Sequence, residues 1–150
     1  RRIPVNASTE EWMSVVPTPQ QIQTMATEGP TGPMVMVNLL KYRTKAAYEA
    51  DRAEAKENLS GREAYQRYGM VAMQHVMKRG GSVVWGGRQK FVMNGEAGPN
   101  DWDDVVCVRY PSREAFLNMT QDPEYLAAHY HREAGLERTV LLCCGAGMAA

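Results

Sequence analysis

The chain has 150 residues, of which 44% are hydrophobic, and its 17 basic residues balance its 17 acidic residues. This length and composition predict a single domain across residues 1–150 with a core of its own. The zero formal charge, without a basic cluster interleaved with aromatic residues, argues against a nucleic-acid partner.

No apolar run approaches the roughly 20 residues that span a bilayer, and the opening segment RRIPVNASTEEW lacks the apolar centre of a signal peptide. We therefore expect a cytoplasmic protein with no membrane partner. The first residue is not Met, so a leader removed before residue 1 is also compatible with the sequence. The odd number of cysteines, two of them adjacent, predicts reduced thiols rather than a disulfide framework.

The first predicted helix lies in an N-terminal extension of residues 1–33. Thr18-Pro19-Gln20-Gln21 provides a capping residue and a proline at the first helical position, which predicts a helix to Glu28. Met34 to Leu40 is apolar at nearly every position, as in a central strand covered on both faces. Asn38 is the exception, and its buried amide must bond either to a backbone group or to a ligand.

The middle of the chain predicts a connection, a long helix and an edge strand. Lys41 to Leu59 is rich in helix formers and predicts a short surface helix, which serves either as a connector or as a lid. The capping box at residues 60–63 begins a helix whose apolar stripe includes His75, interpreted as a core residue rather than a ligand. Ser82 to Trp85 and Phe91 to Met93 predict an edge strand interrupted at glycines 86 and 87.

The last part of the chain predicts a strand, two helices and a return strand. Val105 to Val108 reads as a strand covered on both faces, and Ser112 and Asp122 cap two short helices hinged near residue 121. Gly135 is predicted to close the second helix in a left-handed turn, before a strand over residues 139–144. The order strand, helix, strand, strand, helix, strand predicts an α+β ferredoxin-like sandwich over residues 34–144, with the first and third strands central.

Five segments together resemble the bacterial domain-of-unknown-function family thirteen-thirty: NLLKYR, GREAYQRYG, VVWGGR, WDDVVCVRYPSREAF and DPEYLAAHYHREAGLERTVLL. The resemblance spans about Met34 to Leu142. It implies a dimeric α/β barrel, in which two ferredoxin-like subunits pair through their sheets. That superfamily includes cofactor-free monooxygenases, muconolactone-type isomerases, haem enzymes and proteins of no known activity, so the resemblance implies a fold and no particular reaction.

Candidate site residues come from elements that converge in such a fold. Tyr125, His129 and Arg132 recur at helical spacing and form one face, so a phenol, an imidazole and a fixed positive charge could meet one small molecule. His131 points elsewhere on the helix, but it belongs to the family-like HREAGL motif, so the resemblance nominates it. Both histidines are candidates. The predicted catalytic residues are His131, His129 and Arg132, and the predicted substrate-binding residues are Asn38, Tyr65, Tyr68, Trp85, Arg109 and Tyr125.

Two of these residues have alternative interpretations. By alternation Arg109 shares a face with Val105 and Cys107, where a guanidinium needs a carboxylate, an exit to solvent or an anionic ligand. Arg132 either joins the site or pairs on the surface with an acid such as Glu133 or Glu137.

The sequence lacks a nucleophile elbow, a phosphate-binding loop and a dinucleotide fingerprint. His129 and His131 are two residues apart on a helix and point to nearly opposite sides, which argues against a metal site. We therefore expect no flavin, haem or metal. Two functions remain for the expected homodimer. One is a cofactor-free isomerase, cyclase or monooxygenase acting on a small organic acid or a phenolic or polyketide-like compound; the other is a non-catalytic binder of such a molecule.

Overall fold

The computed structural model describes residues 15–148. The helices are α1 (Pro19–Glu28), α2 (Gly61–Lys78), α3 (Arg113–Thr120), α4 (Pro123–Ala127) and α5 (His129–Gly135), with short 3-10 helices at Ala53–Lys56 and Gly98–Asn100. The strands are β1 (Met34–Tyr42), β2 (Ser82–Arg88), β3 (Asp104–Tyr110) and β4 (Leu136–Gly145). The predicted N-terminal extension falls partly on residues 1–14, which lie outside the described residues.

The four strands form one antiparallel sheet in the order β2-β3-β1-β4. Together with the element order, this is the ferredoxin-like sandwich that the sequence predicts, and β1 and β3 are its central strands. Four predicted N-caps are confirmed: Thr18 and Ser60 complete capping boxes, while Ser112 and Asp122 accept hydrogen bonds from the first turns of α3 and α4. Within residues 15–148, no helix is both long and apolar enough to cross a bilayer.

The two faces of the sheet have different surroundings. The face that carries Met34, Met36 and Val108 packs against the helices and forms the core with Tyr68 and Phe116. The opposite face, here called the outer face, carries apolar side chains from all four strands: Trp85, Val105, Cys107, Val37, Leu39, Val140 and Leu142. The prediction that β1 and β3 are covered on both faces is wrong for the described part of a single chain, because its helices cover only one face.

Two elements differ from their predictions in the middle of the chain. Residues 43–60, here called the connector, contain only the 3-10 helix instead of an α-helix, because their amides bond to other elements, as Ala47 N–H does to the Ala134 carbonyl. Strand β2 continues through both glycines to Arg88, and its bulge lies between Val83 and Trp85. Residues 91–93 are therefore outside the strand.

The predicted second short helix is in fact two helices, α4 and α5, separated at Ala128. Gly135 does not adopt a left-handed conformation, which among described glycines occurs only at Gly80 and Gly95. Gly135 is instead required by close packing, since a Cβ atom there would lie 2.5 Å from the Gly61 carbonyl oxygen. Helices α2 and α5 thus meet backbone to backbone.

Candidate functional site

Five of the nine predicted site residues meet on the helix side of the sheet. This group, here called the Tyr-His-Arg cluster, consists of Tyr65, Tyr68, Tyr125, His129 and Arg132. The hydroxyl oxygens of Tyr68 and Tyr125 are 2.7 Å apart and share a hydrogen bond. The His129 ring lies 5.0 Å from the Tyr125 ring and 5.6 Å from the Tyr68 ring, measured between centroids. Three helices therefore contribute to one polar, aromatic group.

Helical spacing and the close crossing of two helices explain the arrangement. Tyr65 and Tyr68 are three residues apart on α2, and His129 and Arg132 are three residues apart on α5, so each pair lies on one side of its helix. The glycine contact between α2 and α5 brings these two sides together. The break at Ala128 does not separate Tyr125 from His129.

Arg132 is buried, with 7% of its surface exposed. Its guanidinium donates to the Val15 carbonyl and lies 5.9 Å from the centre of the Tyr68 ring. Burial raises the pKa of the Tyr65 hydroxyl overall, although the Arg132 charge acts to lower that pKa. None of the carboxylates in residues 15–148 forms an ion pair with it, so the surface pair with Glu133 or Glu137 is not formed. Since a buried charge is costly without an opposite charge, this guanidinium is suited to an anionic group.

The cluster holds a neutral base beside a fixed cation. Burial, and secondarily the nearby Arg132 charge, lower the pKa of His129 from 6.5 to about 4. Burial also raises the pKa of the Tyr68 hydroxyl well above its usual value, so the phenols remain protonated at neutral pH. At neutral pH the imidazole can thus accept a proton while Arg132 stabilises negative charge.

The lowered pKa of His129 predicts a pH dependence of stability. Unfolded His129 has the ordinary, higher pKa, so between about pH 6.5 and about pH 4 the unfolded state binds more protons than the folded state. The stability contributed by neutral His129 is complete above this window and is lost as the pH falls through it. We expect wild type to lose more free energy of unfolding than His129→Gln between about pH 7 and about pH 5, measured by urea titration. Equal losses in the two proteins would contradict the assignment.

His131 lies apart from the cluster. Its Nδ1 atom is 2.7 Å from the Tyr48 hydroxyl oxygen of the connector. The neighbouring Tyr130 donates to Glu54, and Arg52 stacks over the Tyr130 ring. His131 thus helps to hold the connector against α5. Tyr48 was not singled out in the sequence because its partner is 83 residues away.

The remaining three candidates do not join the cluster within one chain. The Asn38 amide donates to the carbonyls of Met36 and Val106, so the backbone alternative is realised. Trp85 and Arg109 lie on the outer face, on the other side of the sheet. Arg109 shares that face with Cys107, as alternation predicts, and no ion pair to it is present in the described part of the chain.

Comparisons with known proteins agree with the fold. The crystal structure of methylated RPA0582 protein is 32% identical over 89% of this chain and 95% of its own, with a TM-score of 0.79. A second crystal structure, of RPA0582, a protein of unknown function from Rhodopseudomonas palustris, is 32% identical over 86% of this chain and 93% of its own, with a TM-score of 0.75. No curated protein matches the chain significantly. Residues 53–146 match the family described as domain of unknown function, DUF1330, and the chain therefore belongs to that family.

Proposed function

We propose that this chain is the subunit of a homodimeric α/β barrel that binds a small organic acid, or a phenolic or polyketide-like molecule, at the Tyr-His-Arg cluster. In this proposal it is a cofactor-free enzyme of the isomerase, cyclase or monooxygenase type. The observation that carries the proposal is the buried Arg132 guanidinium beside a neutral His129. Such a pair can create and hold an enolate-like anion without a metal or an organic cofactor.

In the proposed step, the His129 imidazole takes a proton from the carbon next to a carbonyl group. The electrons of that C–H bond form a C=C bond, and the carbonyl electrons move to oxygen as negative charge. Arg132 and the Tyr65 hydroxyl stabilise this oxygen. Where the substrate has a C=C bond conjugated with this enolate, return of the proton from His129 to the far carbon of the extended system shifts the double bond and gives an isomer. His131 takes no part in this step, because its ring is hydrogen-bonded to Tyr48 and holds the connector against α5.

The outer face supports the homodimer. Trp85 is 57% exposed and Leu142 is 45% exposed, although both are large and apolar. Pairing two such faces around a two-fold axis would remove them from water. In a dimer of this kind, Trp85 and Arg109 face the partner chain rather than the cluster.

A second function is favoured by the bonding within the cluster. The Tyr68 and Tyr125 hydroxyls already form a hydrogen bond with each other, which suits a rigid site that binds without turnover. The two functions differ in whether a proton leaves the ligand, and this difference can be measured.

Deuterium exchange into phenylpyruvate tests the proposal, because this acid has an acidic C–H bond beside its ketone. We expect the protein to speed exchange in D2O, followed by proton NMR, and His129→Gln or Arg132→Met to reduce the rate to that of buffer. Since His131 is outside the cluster, His131→Gln is the matched control and should retain exchange. Met at position 132 replaces the aliphatic stem of the arginine with an unbranched apolar chain and removes the charge.

Three results are distinguishable. Exchange that depends on His129 and Arg132 supports the enzyme. Thermal stabilisation by phenylpyruvate without exchange, lost in Arg132→Met, supports the binder. Exchange or binding that survives both substitutions would place the site elsewhere and contradict the proposal.

A further inference from the structure

A shallow cavity, open to solvent and separate from the Tyr-His-Arg cluster, lies where the N-terminus of α2 meets the β2 and β3 edge of the sheet. Its volume is about 260 Å³, just below the range usual for sites of drug-sized ligands, so it suits a smaller molecule. Its lining consists of Arg62, Gly86, Gly87, Arg88, Asp104 and Val106.

One wall of the cavity is fixed by Asp104. Its Oδ2 atom accepts hydrogen bonds from the Arg62 guanidinium at 2.5 Å and from the Tyr42 hydroxyl at 2.8 Å. The Arg62 guanidinium also stacks over the Tyr42 ring, 4.7 Å from its centre. The carboxylate is therefore held rigidly, with its position set by two donors and an aromatic ring.

The other oxygen of the same carboxylate, Oδ1, is buried and has no hydrogen-bond partner among the described residues. A buried acceptor without a donor costs free energy, which a ligand hydroxyl or ammonium group would recover. Because Asp104 lines the cavity, its unpaired oxygen favours a ligand that carries a hydrogen-bond donor and settles against this side chain.

Arg88 adds a positive charge to the same cavity. It lies directly opposite Asp104 in the β2–β3 register. Unlike Arg62, it makes no ion pair with any carboxylate of residues 15–148. An unpaired guanidinium across from an acceptor suits a molecule with an anionic group at one end and a donor at the other.

Glycine 86 keeps the cavity open. A Cβ atom built there would meet only ordinary contacts, at 3.8 Å from the Val105 carbonyl oxygen and 3.9 Å from a Val106 methyl group. A larger side chain at this position can therefore enter the cavity without displacing the backbone. Gly87 is different, because its Cβ would lie 2.8 Å from the Trp85 ring on the outer face.

From this arrangement we infer that the cavity is a second ligand site, for a small carboxylic acid that also carries a hydroxyl or ammonium group. The carboxylate binds Arg88, and the hydroxyl or ammonium group donates to Asp104 Oδ1. The site needs neither His129 nor Arg132, so it is independent of the proposed function.

Calorimetric titration of the full chain tests this site with two probes, 4-hydroxyphenylacetate for the hydroxyl class and 4-(aminomethyl)benzoate for the ammonium class. We expect at least one probe to bind with a millimolar or lower dissociation constant. Phenylacetate, which lacks the donor, and 2-(4-hydroxyphenyl)ethanol, which lacks the carboxylate, should bind about tenfold more weakly than 4-hydroxyphenylacetate if the hydroxyl class is correct.

Variants locate the binding. Gly86→Val should abolish it by filling the cavity, and Arg88→Gln should weaken it by about tenfold. Lys90→Gln is the matched control, because it removes an exposed positive charge two residues away and should bind as wild type does. Circular dichroism and the melting temperature verify that Gly86→Val is folded.

The inference is overturned if neither probe binds at millimolar concentration, or if folded Gly86→Val binds a probe as wild type does. Binding lost in Arg132→Met but retained in Gly86→Val would also overturn it, because the probe would then occupy the cluster. Failure of deuterium exchange into phenylpyruvate bears only on the proposed function and leaves this titration unaffected.

Discussion

Gly135→Ala should destabilise the protein by about 3 kcal/mol, although it adds a single methyl group. The new Cβ would lie 2.5 Å from the Gly61 carbonyl oxygen and 2.9 Å from the Tyr65 backbone nitrogen. Both neighbours are backbone atoms of α2, so no side-chain rotation can relieve the overlap. Urea titration measures the change in the free energy of unfolding. The substitution should also weaken any ligand binding at the cluster, because α2 and α5 must move apart to make room for the methyl group.

Gly69→Ala is the matched control for this prediction. Gly69 lies in the middle of α2, and a Cβ there would meet nothing within 4 Å apart from its chain neighbours and the nearby backbone of its own helix. Alanine favours a helix interior over glycine, so this variant should be more stable than wild type by about 0.5–1 kcal/mol. If Gly135→Ala were as stable as wild type, the close crossing of α2 and α5 would be contradicted.

Leu142→Glu should convert the proposed homodimer into monomers and raise its dissociation constant at least about a hundredfold. Leu142 lies on the outer face opposite Val37 of β1, where a carboxylate would be buried between two sheets. Because a two-fold dimer contains position 142 of both chains, two carboxylates would be buried in the interface. Analytical ultracentrifugation at several concentrations measures the change.

Met70→Glu controls for the general effect of adding an acid at an exposed apolar position. Met70 is 71% exposed and lies on α2, on the helix side of the sheet. The Met70→Glu variant should therefore leave the dimer intact. Monomeric wild type at micromolar concentration, or equal dissociation by both variants, would exclude pairing through the outer face.

Much of the fold could be predicted because its signals are local. The caps at Thr18, Ser60, Ser112 and Asp122 depend on residues within one helical turn, and all four are present. The wrong predictions concern features set by distant contacts. A glycine at a helix end commonly forms a left-handed turn, which is what the sequence predicts for Gly135. What requires a glycine there is instead the close approach of the Gly61 backbone, which is far away in the sequence.

In the candidate site, too, features set by local sequence signals were predicted and features set by distant contacts were not. Helical spacing placed Tyr125, His129 and Arg132 on one side, and the structure brings them together. Simple alternation could not place Trp85, because the register shift after Val83 changes which face the later residues occupy. The cavity beside Asp104 escaped prediction because Arg62 and Arg88 come from elements that meet only in the folded chain.

Both edge strands of the sheet contain an extra residue. In β2, Val84 is the extra residue, because Val83 and Trp85 pair with adjacent residues of β3. In β4, Glu137 is the extra residue, because Arg138 and Leu136 pair with the adjacent residues Lys41 and Tyr42 of β1. Such bulges twist an edge and interrupt its ladder of free amides and carbonyls, which makes it a poor template for another chain's strand. Addition of strands from other chains at the sheet edges, which would build filaments, is thereby disfavoured. The exposed apolar outer face can then serve the proposed dimer without aggregation through the edges.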